Sequence, residues 1–444
     1  MPLNILIKGG RIIDPGQKLD TAGDLLVSDG RIAAIEKTGV IAQQDNMKII
    51  DAQDCIVCPG FIDLHCHLRE PGYEDKETIA SGSRAAARGG FTTICCMPNT
   101  NPPLDTEAAI DYVKQKALSV APIRVLPIGC ITMGRQGKEL SEMHALAKAG
   151  AVGFSDDGSP VTDSRIMFLA MQYSLITGLP IIDHCEDSSL SEGGIINEGW
   201  VATRLGLKGI PAAAEEIMVA RDILLAGSSA ASVHIAHVST KGSVELIRQA
   251  KGDGIHITAE VAPHHLLMDE EWVLRGANAQ STGLAYNTNA KVNPPLRTQD
   301  DIRALIGGLK DGTIDAIATD HAPHALVDKN CEMGLAAFGI SGLETALASL
   351  LKLVHDGMLD LNTLISSMTC KPASIISKST GKLGRLKPGS TADITIFNPQ
   401  LPWTVKAAEF LSMGKNTPLD GQNLTGRVLY TISNGELVYQ NHTA

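Results

Sequence analysis

Five separate apolar runs in this chain each end in histidine or aspartate, and that repetition constrains the fold more than any other feature. The first, Phe61-Ile-Asp-Leu-His-Cys-His67, sets His65 and His67 two residues apart, which puts both rings on one face of a strand. The others are Ala151-Val-Gly-Phe-Ser-Asp-Asp157, Pro180-Ile-Ile-Asp-His184, Ser232-Val-His-Ile-Ala-His237 and Ile314-Asp-Ala-Ile-Ala-Thr-Asp320. An alternating histidine pair on its own is as well explained by a polar strand edge. Five strand ends carrying metal-ligand side chains are hard to obtain by chance, and they point to a divalent-metal site.

Between about residues 59 and 378 short β-branched runs alternate with stretches rich in Ala, Glu and Lys. The runs predict strands at 59–65, 91–96, 123–129, 151–155, 180–184, 232–237, 255–260 and 314–319. Helices are predicted over Thr78–Arg88, Thr106–Ala117, Glu139–Ala149, Ala213–Leu225 and Ser243–Ala250. Eight such units in alternation imply an α/β fold of the (β/α)₈ TIM-barrel type. In that fold functional groups sit at the C-terminal ends of the strands, so ligands far apart in sequence converge at one mouth.

The two ends of the chain read differently from its middle. Asp24–Ile35 and Val428–Tyr439 are each two β-rich runs joined by a turn dipeptide, Asp29-Gly30 and Asn434-Gly435, which suits the positive φ angles of a tight hairpin. The simplest arrangement is a small composite β-sandwich of 1–58 plus 379–444, with a barrel of 59–378 inserted. At 444 residues the chain exceeds the usual domain of about 50–250 residues, in keeping with two units.

The net charge of −11, with Lys and Arg scattered, argues against a nucleic-acid surface. Nine cysteines without framework spacing, several inside apolar runs, read as reduced thiols of a cytoplasmic protein. The start, Met1-Pro-Leu-Asn-Ile-Leu-Ile-Lys8, lacks the basic flank and cleavage site of a signal peptide. The longest weakly charged run, 166–182, is broken at Gly178-Leu-Pro180, so no membrane span is expected.

Further motifs accompany the ligand runs: Leu68-Arg-Glu-Pro-Gly72, Met97-Pro-Asn-Thr100, Gly153-Phe-Ser-Asp-Asp-Gly158, His184-Cys-Glu-Asp187, His237-Val-Ser-Thr240, Asn293-Pro-Pro-Leu-Arg297 and Thr319-Asp-His-Ala-Pro-His324. With His65-Cys-His67 they resemble the class I dihydroorotases of the amidohydrolase superfamily, essentially over the whole chain. The HxH pair marks only the superfamily. Arg69, Asn99 and the 319–324 segment are much more specific.

The resemblance implies reversible hydrolysis of L-dihydroorotate to N-carbamoyl-L-aspartate, a step of pyrimidine synthesis. An amide is a poor electrophile and water a poor nucleophile; Zn²⁺ would lower the pKa of its water towards about 7 and polarise the ring carbonyl. His65, His67, Asp157, His184, His237 and Asp320 are enough ligands for one or two ions, the resulting hydroxide attacking the ring amide. Asp320 is the candidate general base and acid; its plainer readings are a simple ligand or a helix N-cap. Arg69 offers a planar fork for the substrate carboxylate, and by resemblance Asn99, His324, Asn293 and the Phe338-Gly339 loop complete the pocket. Taken singly these would be a surface charge, a turn residue, a loop histidine, a turn former and a helix start.

Hydantoinases, dihydropyrimidinases and many allantoinases carry a carboxylated lysine at the end of the fourth strand. Here that strand has none, Lys148 lying before it, and Asp157 is the obvious substitute. Another cyclic amidohydrolase, acting on rings without a carboxylate, is the alternative against which Arg69 and Asn99 speak. Some dihydroorotase-like chains have lost their ligands and serve as structural partners of aspartate carbamoyltransferase. All six ligand positions are filled here, although association with that transferase stays open, and a homodimer is expected only from family habit. Cys66 and Cys185 are expected in the core, and His264, His265 and His321 beside the site at most.

Overall fold

The computed structural model describes residues 4–45, 47–274 and 286–441. Among them the alternating runs close into a barrel. Phe61–Cys66 pairs in parallel with Phe91–Cys96, which pairs with Arg124–Pro127. Phe154 then bridges Gly129 on one side and Ile181 on the other. Ile181–Asp183, Val233–Ile235, Ile257–Val261 and Ala316–Ile317 follow in order, all parallel. A parallel bridge from His321 to Cys66 completes the ring.

Parallel neighbours need a long crossover, and here each is helical. Ile79–Arg88, Glu107–Val120, Met143–Ala149, Ser164–Thr177, Ala213–Ser229, Lys241–Gly252 and Gln299–Asp311 connect the strands, and Ala346–His355 follows the eighth. Thr78, Thr106, Thr240 and Thr298 start four of them, each hydroxyl accepting from the amide three residues on at 3.1–3.4 Å. Ile62, Leu64, Cys95, Ile128, Val152, Ile182, Ala236 and Ala316, drawn from strands all round the ring, form one buried cluster that fills the barrel.

Several predicted elements are too long. The fourth strand, expected at 151–155, is a single bridge at Phe154, and the eighth, expected at 314–319, is only Ala316–Ile317. The sixth stops at Ile235 rather than 237. At these ends the backbone leaves the ladder to present ligands: His237 takes φ 30° and Asp320 φ 45°, both in the left-handed region. The third helix begins at Met143 rather than Glu139. Leu140 bridges Thr132 and the Ser141 amide donates to Ile131, so 139–141 belong to an extended connection.

Strands from both ends of the chain share one sheet, in the order Glu436–Gln440, Asn423–Ser433, Ile394–Thr404, Ile56–Pro59, Asn4–Asp14, Leu19–Ser28 and Arg31–Glu36, with Met47–Asp51 also beside Asn4–Asp14. The Asn4–Asp14 strand bends at Gly9, φ 71°, where its register slips. Residues 4–8 pair with Met47–Asp51, whereas Arg11 and Ile12 pair with Ile56 and Val57. That bend folds the sheet into a sandwich over Ile5, Ile7, Ile12, Leu25, Val57, Ile394 and Ile432. Both expected hairpin turns form, with φ 51° and 74° at Asp29-Gly30 and 51° and 80° at Asn434-Gly435. Residues 1–3 and 442–444 of the expected composite domain lie outside the described residues.

All nine cysteines are unpaired and seven are buried. Burial raises the thiols of Cys58, Cys66, Cys95, Cys130 and Cys185 well above their ordinary range, which makes them poor nucleophiles and ligands. No helix among the described residues is long and apolar enough to cross a membrane.

Candidate active site

The six expected ligands meet at the C-terminal mouth of the barrel, around Asp157. Its Oδ1 lies 3.3 Å from His65 Nε2, 3.6 Å from His184 Nδ1 and 3.6 Å from His237 Nε2. Its Oδ2 is 3.7 Å from His67 Nε2. Asp320 Oδ1 lies 3.2 Å from His67 Nε2 and 3.7 Å from His65 Nε2. Ligand atoms around one tetrahedral ion stand roughly 3.3 Å apart, given bonds of about 2.0–2.2 Å. The donor set therefore has the spacing of a metal cage, with Asp157 shared between a His65–His67–Asp320 group and a His184–His237 group.

Ring tautomers, read from their partners, support the same fit. His65 Nδ1 donates to Glu260 Oε1 at 2.8 Å, His67 Nδ1 to Asn99 Oδ1 at 2.9 Å, and His184 Nε2 to Glu186 Oε2 at 2.8 Å. Each ring thus holds a partner outward and directs its other nitrogen into the cluster, His67 Nε2 onto Asp320 Oδ1 at 3.2 Å and His184 Nδ1 onto His237 Nε2 at 2.8 Å. His65 Nε2 is buried with no hydrogen-bond partner, aimed at two carboxylates. Such a nitrogen wants a cation or a proton. Although burial opposes it, Asp157 and Glu260 raise His65 well above its ordinary pKa, and Asp157 with Glu186 brings His184 to about 10. Burial likewise works against the carboxylate forms, but the imidazoles hold Asp157 and Asp320 well below the usual range.

A cavity of about 240 Å³ opens directly above, lined by His67, Asp157, His184, His237 and Asp320 on its floor. Arg69, Asn99, Asn293, His324, Phe338 and Gly339 make its walls, so every expected substrate residue reaches it. Only His65 lies beneath, fully buried. Arg69, in the left-handed region at φ 61°, donates through Nε to the Pro323 carbonyl at 3.3 Å, and its Nη2 lies 3.4 Å from His324 Nε2. His324 in turn donates to the Phe338 carbonyl at 2.8 Å; burial, then Arg69, lowers it to about 3, so its ring is neutral. Asn99 is more than a wall residue, because its amide also donates to Asp157 Oδ2 at 3.2 Å. Asn293 donates to Glu186 at 2.7 Å.

Two buried carboxylates, Glu260 and Asp63, and the half-buried Glu186 support the site without standing among the expected residues. Glu260 accepts from His65 and lies 3.1 Å from His234 Nε2, which together hold it at about 2 against the opposing effect of burial. It is the penultimate residue of the seventh strand, Ile257–Val261, close to the rim where the expected ligands gather, a signal the sequence did carry. Glu186 stands inside a motif that was noticed, and Asp63 accepts from the Thr319 amide at 2.7 Å and hydroxyl at 2.6 Å, tying the first strand to the eighth. His321 points away, its Nδ1 accepting from the Gly342 amide at 3.1 Å, and His265 donates to the Pro294 carbonyl at 2.9 Å behind Asn293. Cys66 and Cys185 lie in the barrel–helix core as expected.

The family model described as Dihydro-orotase-like matches residues 54–243. A curated dihydroorotase of Geobacter sp. (strain M21) is 50% identical over 438 residues, 99% of this chain and 100% of the relative. A dihydroorotase of Caldanaerobacter subterraneus subsp. tengcongensis is 50% identical over 441 residues, 99% of this chain and 98% of its own. The chain belongs to the dihydroorotase family. Among solved structures, this dihydroorotase-family fold resembles an L-hydantoinase (dihydropyrimidinase) from Arthrobacter aurescens, with TM-score 0.85 and 28% identity over 98% of this chain and 96% of that one. A dihydropyrimidinase from Brevibacillus agri NCHU1002 shares the fold at TM-score 0.83 and 22% identity, over 99% and 95% of the two chains. Lys148, the lysine nearest the fourth strand in sequence, is exposed on the preceding helix, and at the end of that strand Asp157 faces His65, His67, His184 and His237.

Because Glu260 fixes the His65 tautomer, Glu260→Gln is expected to weaken divalent-metal affinity by roughly 10–100-fold with the fold retained. Competition against a chromogenic chelator reads this directly. Unaltered affinity would mean that His65 needs no such partner.

Proposed function

We propose that this cavity carries out the dihydroorotase reaction, the reversible hydrolysis of L-dihydroorotate to N-carbamoyl-L-aspartate in de novo pyrimidine (UMP) biosynthesis. As a member of its family the chain is a metal-dependent cyclic amide hydrolase. The observation that carries the assignment of substrate is Arg69 beside His324 on the wall of a small cavity whose floor is the imidazole–carboxylate cluster.

In this reading Arg69 takes the ring carboxylate in its fork, with Asn99, His324, Asn293, Phe338 and Gly339 bounding the ring. Asp320, a carboxylate at neutral pH, accepts a proton from the attacking water. The water oxygen bonds to the amide carbon, the ring C–N bond breaks, and Asp320 returns the proton to the departing nitrogen. Zn²⁺, one or two ions per subunit held by His65, His67, Asp157, His184, His237 and Asp320, would supply Lewis acidity for water activation and carbonyl polarisation.

We also keep the division into a composite β-unit of 1–58 plus 379–444 and a barrel of 59–378, supported by the shared sheet. A cytoplasmic homodimer fits exposed Ile176, Ile217 and Leu224 on the adjacent helices Ser164–Thr177 and Ala213–Ser229. Association with aspartate carbamoyltransferase rests on family resemblance alone.

The test is loss of L-dihydroorotate followed by ultraviolet absorbance, beside hydantoin and allantoin. Faster turnover of either uncharged ring would sink the assignment. Hydrogen bonds to charged groups contribute about 1.5–3 kcal/mol, so Arg69→Ala should lower kcat/KM for dihydroorotate by roughly ten- to a hundredfold. Lysine, lacking the fork, should not restore it.

A further inference from the structure

Behind the wall that carries Phe338 and Gly339 stand two buried lysines. Lys329 is 2% exposed and lines no part of the cavity. Its Nζ donates to three carbonyls, Ala337 at 2.7 Å, Gly339 at 3.1 Å and Lys291 at 3.3 Å, which uses every N–H it has. Lys291, equally buried, donates to the carbonyls of Met333 at 2.7 Å and Gly334 at 3.3 Å, and its ammonium sits 4.3 Å from the Phe338 ring centroid. Neither forms an ion pair with a carboxylate among the described residues. Burial, with Lys291 second, brings Lys329 down to about 7, a measure of what keeping an ammonium there costs.

An apolar side chain of the same length would fill that space at lower cost. What it would not do is draw carbonyls from two separate stretches to one point. The Lys291 carbonyl lies two residues before Asn293 and also accepts from the Gly339 amide at 2.9 Å. Those of Ala337 and Gly339 flank Phe338, whose own carbonyl accepts from His324. Asn416, from the C-terminal segment, completes the suspension by donating to Gly339 at 3.0 Å and Ala322 at 2.9 Å and accepting from the His324 amide at 3.0 Å. Gly339 lies so close to Ala322, at φ 140°, that no side chain fits there, so the wall has one seat.

We propose that Lys329 is a positioning residue for substrate binding: by gathering the carbonyls of Lys291, Ala337 and Gly339 it sets the Phe338–Gly339 wall and, through Phe338, the His324 ring against Arg69. This rests on the assignment of dihydroorotate as substrate. In that reading the wall bounds the ring and supplies no group that handles the water's proton, so its release appears in KM before kcat.

The experiment is steady-state kinetics on the metal-loaded enzyme, with metal content and backbone hydrogen exchange of 336–342 measured on the same samples. Lys329→Met should raise KM for L-dihydroorotate by roughly tenfold or more, since small misplacements at a site cost about that much. kcat should stay within about threefold, metal content should match the parent, and the 337–339 amides should exchange faster. Unchanged KM, or kcat falling together with metal content, overturns the proposal. If Lys329→Met does not fold, Lys291→Met and Asn416→Ala release the same wall elsewhere; KM unchanged in both overturns it equally. If the parent enzyme ignores dihydroorotate, it is the substrate assignment that falls, and exchange at 337–339 still decides the wall: no acceleration in the variant refutes it.

Discussion

Asp320→Ala should lower kcat for L-dihydroorotate by roughly 10²–10⁴-fold, the usual contribution of a positioned general acid–base. Asp320 follows the eighth strand, three residues beyond Ile317, in a left-handed conformation that turns its carboxylate into the mouth, 3.2 Å from His67. Burial would by itself raise its pKa, yet the His67 hydrogen bond and the charges of His65, His67 and His237 keep it well below the ordinary value. At neutral pH it is therefore a base without a proton, as ring opening requires. Its side chain caps no helix among the described residues and supports no strand, so the variant should fold. Since Asp320 also belongs to the ligand cage, metal content must be determined alongside, and Asp320→Asn separates the roles by keeping a neutral oxygen donor while removing the base. Near-normal kcat in a metallated alanine variant would take Asp320 out of the mechanism.

Removal of divalent metal should reduce turnover to below roughly a thousandth, because Lewis-acid stabilisation amounts to several kcal/mol and each 1.36 kcal/mol is tenfold in rate. Added Zn²⁺ should restore it. Asp157→Ala should give the same loss without restoration, since among the described residues Asp157 is the carboxylate within 3.7 Å of His65, His67, His184 and His237 together. Of the four inward nitrogens, those of His65 and His67 would keep Asp320 as their carboxylate, and ion binding should weaken severely. Calorimetric titration with Zn²⁺ measures that independently of turnover. Full activity in a chelated sample free of metal by elemental analysis would refute the metal assignment, whatever the fate of Asp157→Ala.

Much of this site was legible in the chain. A strand that ends in His or Asp says, once a parallel barrel is recognised, where that side chain will be, because the C-terminal ends of all eight strands share one rim. That is why His65, His67, Asp157, His184, His237 and Asp320 converge although His67 and Asp320 alone are 253 positions apart in sequence. Glu260 reaches the same rim from the seventh strand, one residue before its end, and a carboxylate there has many ordinary explanations in a sequence.

The strands are shorter than the apolar runs that contain them for a physical reason. Apolar runs such as 151–155 and 314–319 are buried, so they look like strand throughout, yet their last residues leave the ladder to aim ligands inward.

The sequence by itself determined the barrel, its composite β-unit, the turns at Asp29-Gly30 and Asn434-Gly435, and which histidines and aspartates gather at the barrel mouth. These are consequences of local pattern: period, turn chemistry and the residue closing each run. Only the tertiary structure decided which partner each ligand holds, that Glu260 sets His65 across 195 residues, that Asn99 joins His67 to Asp157, and that Lys329 and Asn416 hang the substrate wall from behind. Hydrogen bonds between buried groups are fixed by ångström-scale placement of distant backbones, and no local pattern in a chain encodes that distance.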